Sequence, residues 1–165
     1  MARCGDVGDE LGSRIIAARL VHELMKLCFL MERQYAPYSK WFGTAFAELK
    51  CAPMFTPVFE RVLNAPMWQE REKHLSAAYE AAAEMHNRLG ITMLLPTKVS
   101  NFHNRPYRVL QSGRFVEALQ AAITDATILR LPPYLGSVDQ FVDSTDVLDR
   151  MERMRKLKRI YEEAS

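Results

Sequence analysis

Between Asp9 and Gln34 the chain runs for about 26 residues without a proline, with apolar side chains at helical spacing throughout. At 1.5 Å per residue this is a helix of ~39 Å. One apolar seam is Leu11, Ile15, Ala18, Met25 and Phe29; a second is Ile16, Leu20, Leu24, Leu27 and Met31. The polar stripe left over is narrow, formed by Arg19, His22, Glu23, Lys26 and Arg33. A helix that is apolar around most of its circumference calls for neighbours on several sides. The expected fold is therefore all-α: a helical bundle around a long central first helix, six to seven helices in all, and no sheet. No sustained apolar/polar alternation and no Asn-Gly or Asp-Gly turn argues for strands.

Punctuation residues divide the remainder. Pro37 permits a fresh start, because proline is tolerated in a first helical turn and disruptive inside a helix. A second helix is expected over 37–49. Thr56-Pro57 reads as an N-cap followed by proline, opening a short third helix to about Leu63. Pro66 opens a fourth, ending near Gly90, with Trp68, Leu75, Ala78, Tyr79, Ala82, Met85 and Leu89 along one face. Residues 91–107, "ITMLLPTKVSNFHNRPY", hold two prolines and no period, which predicts a long loop. A fifth helix follows over 113–123, a short one over 125–130, and a last one over 146–162. With 165 residues, the chain is the length of one helical domain.

Composition excludes several classes. There are 22 basic and 20 acidic residues, so the net charge of +2 makes no case for nucleic acid. The charge is uneven: "RMERMRKLKR", residues 150–159, is strongly basic and marks 149–165 as a basic C-terminal helix. That helix suits a solvated face, and equally contact with phosphate or an acidic partner. No apolar run approaches the ~20 residues that cross a bilayer. Three widely spaced cysteines, Cys4, Cys28 and Cys51, read as reduced thiols, and the expected location is the cytoplasm.

Catalytic signatures are missing. There is no P-loop, GxGxxG, GxSxG or HExxH. Metal-dependent nucleotidyl transfer needs paired carboxylates holding Mg²⁺ against a triphosphate. Gly12-Ser13 opens a helix and no D-x-D follows it; Gly136-Ser137 precedes Asp139 and Asp143, but in a helical context where capping explains them. The expectation is that this chain has no catalytic residues and no metal ligands of its own.

The stretch "RQYAPYSKWFGTAF" is the densest in rings. Tyr38, Trp41 and Phe46 at helical spacing read as core. Tyr35 sits at the helix break. Lys40, after Ser39, stands in a first helical turn, where a cation works against the helix dipole and free N–H groups favour an anion. A lysine beside such amides suits a phosphate clamp, with Tyr35 as a stacking face; it suits a solvated surface position as well. His103, Asn104 and Arg105 in the long loop suit a polar ligand or a helix cap. His86, on the edge of an apolar face, reads as a satisfied core-edge histidine.

Four blocks carry a resemblance: "GDVGDELGSRIIAARLV", "LMKLCFLMERQYAPYSKWFGTAF", "FHNRPYRVL" and "GSVDQFVDSTDVL". From about Cys4 to about Leu148 the chain resembles the C-terminal helical region of an uncharacterised bacterial family, a domain of unknown function found in nucleotidyltransferase-like proteins. More remotely, it is similar to the helical domain of aminoglycoside adenylyltransferases, where a Ser-Lys pair opens the helix after a long one and the lysine reaches the nucleotide phosphates. The resemblance implies nucleotide binding by Tyr35, Ser39 and Lys40, and an acceptor side shaped by His103, Asn104, Arg105 and Asp139. In a complete enzyme, Mg²⁺ would assist attack of an acceptor hydroxyl on the α-phosphate of a nucleoside triphosphate. The domain with the Gly-Ser and carboxylate motifs has no counterpart in these 165 residues, so the chain is expected to be inactive alone. Its expected partners are a nucleotidyltransferase domain or subunit, a nucleotide and a small-molecule acceptor. The other reading is a non-catalytic interaction module that pairs with such a subunit or with itself.

Overall fold

A short helix precedes the long one. Residues Ala2–Asp6 form α1, and Gly8 and Asp9 turn the chain into α2, Glu10–Met31. Asp9 accepts a hydrogen bond from the Gly12 N–H at 2.7 Å and so caps α2. The computed structural model describes residues 1–131, 142, 144–157 and 159. Within these, the further helices are α3 (Ser39–Ala47), α4 (Ala52–Asn64), α5 (Trp68–Leu89), α6 (Gly113–Ala121), α7 (Thr145–Leu148) and α8 (Met151–Leu157). A 3₁₀ turn lies at Ile128–Arg130. The helical class holds, with eight α-helices among the described residues instead of six or seven. One small ladder joins them where no sheet was expected: β1 (Ser100–Asn101) pairs antiparallel with β2 (Arg108–Val109).

The chain divides into two compact units. The first comprises residues 1–36 and 43–122, the second residues 37–42 and 123–165. In the first unit, α2 and α5 run side by side in the same direction. Glu10, at the start of α2, accepts from the Trp68 N–H at the start of α5 at 3.0 Å. α4 returns the chain between them. It begins where Glu32, just past α2, accepts from the Lys50 and Cys51 N–H groups at 3.0 and 2.8 Å, and it ends where Arg14 donates to the Pro66 carbonyl at 3.2 Å. Glu32 thereby replaces the local cap that Cys51 lacks and puts a negative charge at a helix N-terminus.

The core follows this layout. α2 buries Ser13, Ala17, Val21, Leu24, Cys28, Phe29 and Met31. This stripe takes Phe29 from the first expected seam and Leu24 and Met31 from the second, while Leu11 and Ile15 are 71% and 64% exposed. The small side chains at 13 and 17 let α5 approach. α4 contributes Phe55, Phe59 and Val62. Phe55 stacks on Phe59 at 5.4 Å, Phe59 meets Phe46 at 5.8 Å, and Phe46 meets Phe29 edge-on at 6.1 Å. Such pairs add to simple area burial. α4 begins before Pro57, contrary to the expected boundary at Thr56-Pro57: the proline sits inside the helix and leaves only the Pro53 carbonyl without its usual donor, in the opening turns. α5 matches its expected span, with Gly90 in the left-handed conformation at its end. Gly5 is required by closeness: a Cβ there would run into the Trp68 ring.

In the second unit, Asp125 accepts from the Thr127 and Ile128 N–H groups at 2.7 and 3.2 Å and organises the 3₁₀ turn. These bonds hold its carboxyl below the usual carboxylate range. Lys40 Nζ lies 5.7 Å from the Trp41 ring centroid. The expected last helix is interrupted at Asp149-Arg150 and divides into α7 and α8.

Candidate functional site

The second halves of α2 and α5 do not close on each other. They form two walls of a cleft of about 930 Å³, completed by α6 and by the β1–β2 hairpin, all within the first unit. Leu24 and Leu27 line it from α2, Ala82 and Ala83 from α5, Phe115 and Val116 from α6. This is within the size range of small-molecule sites.

His86 stands in that lining. It is 8% exposed, and neither ring nitrogen has a hydrogen-bond partner among the described residues. Its ring meets Phe115 edge-on at 5.1 Å. A buried polar group left unpartnered costs about 1–3 kcal/mol. The expectation of a satisfied core-edge histidine is thus half right: the ring is buried and unsatisfied. Tyr79 also lines the cleft, its phenol pushed up to about 12 by burial and then by the nearby Glu72 carboxylate. The charged side chains on the lining, Glu23, Arg33 and Arg108, are half-buried or exposed and mark the rim.

One face of α5 holds the hairpin wall in place. Glu72 accepts from the Arg108 N–H at 3.1 Å. Two turns further on, Glu80 accepts from the Val99 N–H at 3.1 Å and from Lys98 Nζ at 2.8 Å. Another two turns on, Asn87 makes a reciprocal pair with Leu95, donating to its carbonyl at 2.8 Å and accepting from its N–H at 3.1 Å. The Lys98 ammonium holds the Glu80 carboxyl below its ordinary value against the effect of burial, and Glu80 in turn raises Lys98. Tyr107 donates to Asp6 at 2.8 Å, which raises the phenol pKa. So 91–107, expected to be a patternless loop, is pinned at regular intervals. The signal was present as Glu72, Glu80 and Asn87 at near-heptad spacing on the polar side of α5.

The opposite end of the helix pair is closed by charge. Arg71 is fully buried and donates to Glu10 at 3.0 Å, to Ser13 Oγ at 2.7 Å and to the Ala65 carbonyl at 2.9 Å. Burial works against the Glu10 carboxylate, but the Trp68 N–H and Arg71 outweigh it and hold its pKa below the ordinary value.

The residues singled out from the sequence are placed as follows. Tyr35 is 89% exposed in the first unit, and Ser39 and Lys40 are exposed in the second. Tyr38 and Trp41, expected in the core, are 44% and 52% exposed, whereas Phe42 and Phe46 are buried. His103, Asn104 and Arg105 come together at the exposed tip of the hairpin, with His103 at φ 54° and its ring 4.8 Å from that of Phe102, a cleft-lining residue. Asp139 lies outside the described residues. Among the described residues no three His, Cys, Asp or Glu side chains cluster as metal ligands, and no helix is long and apolar enough to cross a membrane.

Residues 1–42 match the model of a domain of unknown function (DUF4037). The match takes in α1, α2 and the opening of α3, and so one wall of the cleft. No curated protein and no solved structure matches the chain.

Proposed function

We propose that this chain is the helical substrate-binding part of a nucleotidyltransferase-like protein, and that the cleft between α2, α5 and α6 receives the acceptor. The observation that carries the reading is the apolar cleft of about 930 Å³ with the unpartnered His86 in its wall. The resemblance supplies the reaction class, and the domain match over residues 1–42 coincides with its first blocks. The described residues offer no ligand set that fits a catalytic Mg²⁺, so no step is assigned to a metal here. The role of this chain is to bind: Leu24, Phe115 and their neighbours enclose the acceptor body and exclude water, and His103, Asn104 and Arg105 meet whatever projects past the hairpin. A lining of this kind selects against polycationic amino-sugars, whose charges would lose hydration without gaining partners. On the nucleotide side, Ser39 and Lys40 act as the phosphate clamp, and Tyr35 is assigned to the nucleotide on the resemblance alone.

A thermal-shift screen tests the acceptor site, because a ligand that binds only the folded state raises Tm by mass action. Apolar hydroxyl compounds should raise Tm, and Leu119→Trp, a half-exposed lining position, should abolish the shift by filling the mouth. No shift with any apolar compound would refute the site. Calorimetric titration with ATP and Mg²⁺ tests the clamp: binding should be weak and lost in Lys40→Ala.

A second reading, an interaction module, draws on Val7, Leu11 and Ile15. These are 80%, 71% and 64% exposed and spaced by four residues. If it holds, sedimentation will show a dimer, or a complex with a nucleotidyltransferase subunit, that Leu11→Glu/Ile15→Glu dissolves.

A further inference from the structure

We infer that the ligand of the cleft is an uncharged apolar alcohol, its ring or branched body against Leu24, Ala83 and Phe115 and its hydroxyl on the imidazole of His86. This rests on the reading of the cleft as a small-molecule site and names the chemistry that the site selects.

The argument begins with what His86 lacks. A neutral imidazole has one donor and one acceptor nitrogen, and among the described residues neither has a partner, behind a surface that is 8% exposed. A hydrocarbon would satisfy neither. A carbonyl would satisfy the donor alone. A hydroxyl both donates and accepts, so it answers whichever nitrogen faces the cleft. Charge is disfavoured by position. The charged side chains on the lining sit at the half-buried or exposed rim, so a carboxylate or ammonium carried to the depth of His86 would lose water without an opposite charge among the lining side chains. The Arg114 guanidinium is outside the lining, 5.7 Å from the centroid of the Phe115 ring. The phenol of Tyr79, driven up to about 12, stays neutral at physiological pH and adds no charge to the lining. The volume admits a ring system larger than a single side chain.

The test uses three probes of one shape: naphthalene, 2-naphthol and 2-naphthoate. Equilibrium dialysis against the full chain gives Kd for each. 2-Naphthol should bind about tenfold tighter than naphthalene, the worth of one net hydrogen bond, and 2-naphthoate should bind weakest. His86→Leu should bring 2-naphthol down to the level of naphthalene and leave naphthalene unchanged, while His86→Gln keeps part of the preference. In the wild-type protein, the imidazole ¹⁵N resonances of His86 should move with 2-naphthol and not with naphthalene. Equal affinity for naphthalene and 2-naphthol, tightest binding by 2-naphthoate, or a preference that survives His86→Leu would overturn the alcohol assignment and leave the cleft a binding site. Failure of all three probes to bind would overturn the cleft itself, and this inference with it.

Discussion

Replacing Arg71 by methionine should destabilise the first unit by about 2–4 kcal/mol. The guanidinium is fully buried and donates to Ser13 Oγ, the Ala65 carbonyl and Glu10. Methionine fills a similar volume and donates nothing. Two buried oxygens, on Ser13 and Ala65, are then left without a donor, at about 1–3 kcal/mol each. Glu10 loses less, because its carboxylate is partly open to solvent and keeps the Trp68 N–H. Relief of the desolvation of a buried cation acts the other way and trims the sum. Urea unfolding reads the result: the midpoint should fall by about 1–2 M with an unchanged slope. A cycle with Ser13→Ala separates the terms. Once the serine oxygen is gone, Arg71→Met should cost at least about 1 kcal/mol less, well outside the ~0.5 kcal/mol of simple additivity. An Arg71→Met midpoint indistinguishable from wild type, or strict additivity in the cycle, would refute the account of this node.

Three further outcomes are expected. Glu32→Gln should cost about 1 kcal/mol at pH 7, the worth of a helix cap; because the folded-state pKa of Glu32 lies below the ordinary value near 4.5, its contribution is full above that value and lost as pH falls through the lowered one, so variant and wild-type melting curves should converge in acid. Burial pushes the Cys28 thiol up to about 11 and raises Cys51 further, so a maleimide should label Cys4 in the native protein and reach Cys28 and Cys51 only in denaturant, as peptide mass mapping would show. Glu80→Ala should release the hairpin: the Val99 amide should exchange at least tenfold faster with solvent, and 2-naphthol binding should weaken because Phe102 and Val109 form that wall.

The helices were legible where one residue type decides the backbone. Gly90 after a regular apolar face placed the end of α5, and the long proline-free run placed α2. The buried face of α2 is legible in part, in Leu24, Phe29 and Met31. Since apolar side chains occur all round the helix, the sequence does not show that the small pair Ser13 and Ala17 faces the core, and only the partner helix shows that smallness is wanted there. Pro57 misled, because a proline in the opening turns of a helix costs a single hydrogen bond and α4 retains its aromatic face. Tyr38 and Trp41 share helical spacing with Phe46, but spacing does not distinguish the buried face from the exposed one. A histidine on the edge of an apolar face is expected to find a partner, but whether a particular ring does depends on Phe115 and the hairpin, far away in sequence.

The two ends of the α2–α5 pair explain how the cleft persists. At one end, Arg71 ties α2, α5 and the end of α4 with directional bonds that fix spacing and register. With the helices anchored there and held apart by α4, their far halves can stay separated without collapsing, and α6 and the hairpin roof the gap. The roof is fastened from outside, by Glu72, Glu80 and Asn87 on the polar side of α5, and does not depend on filling the interior. A core that needed its own packing to stand would have placed a large side chain where Ala82 and Ala83 face the cleft. Ala82 and Ala83 on the wall, the imidazole of His86 without a partner among the described residues, and a scaffold braced elsewhere are what the proposed ligand site requires.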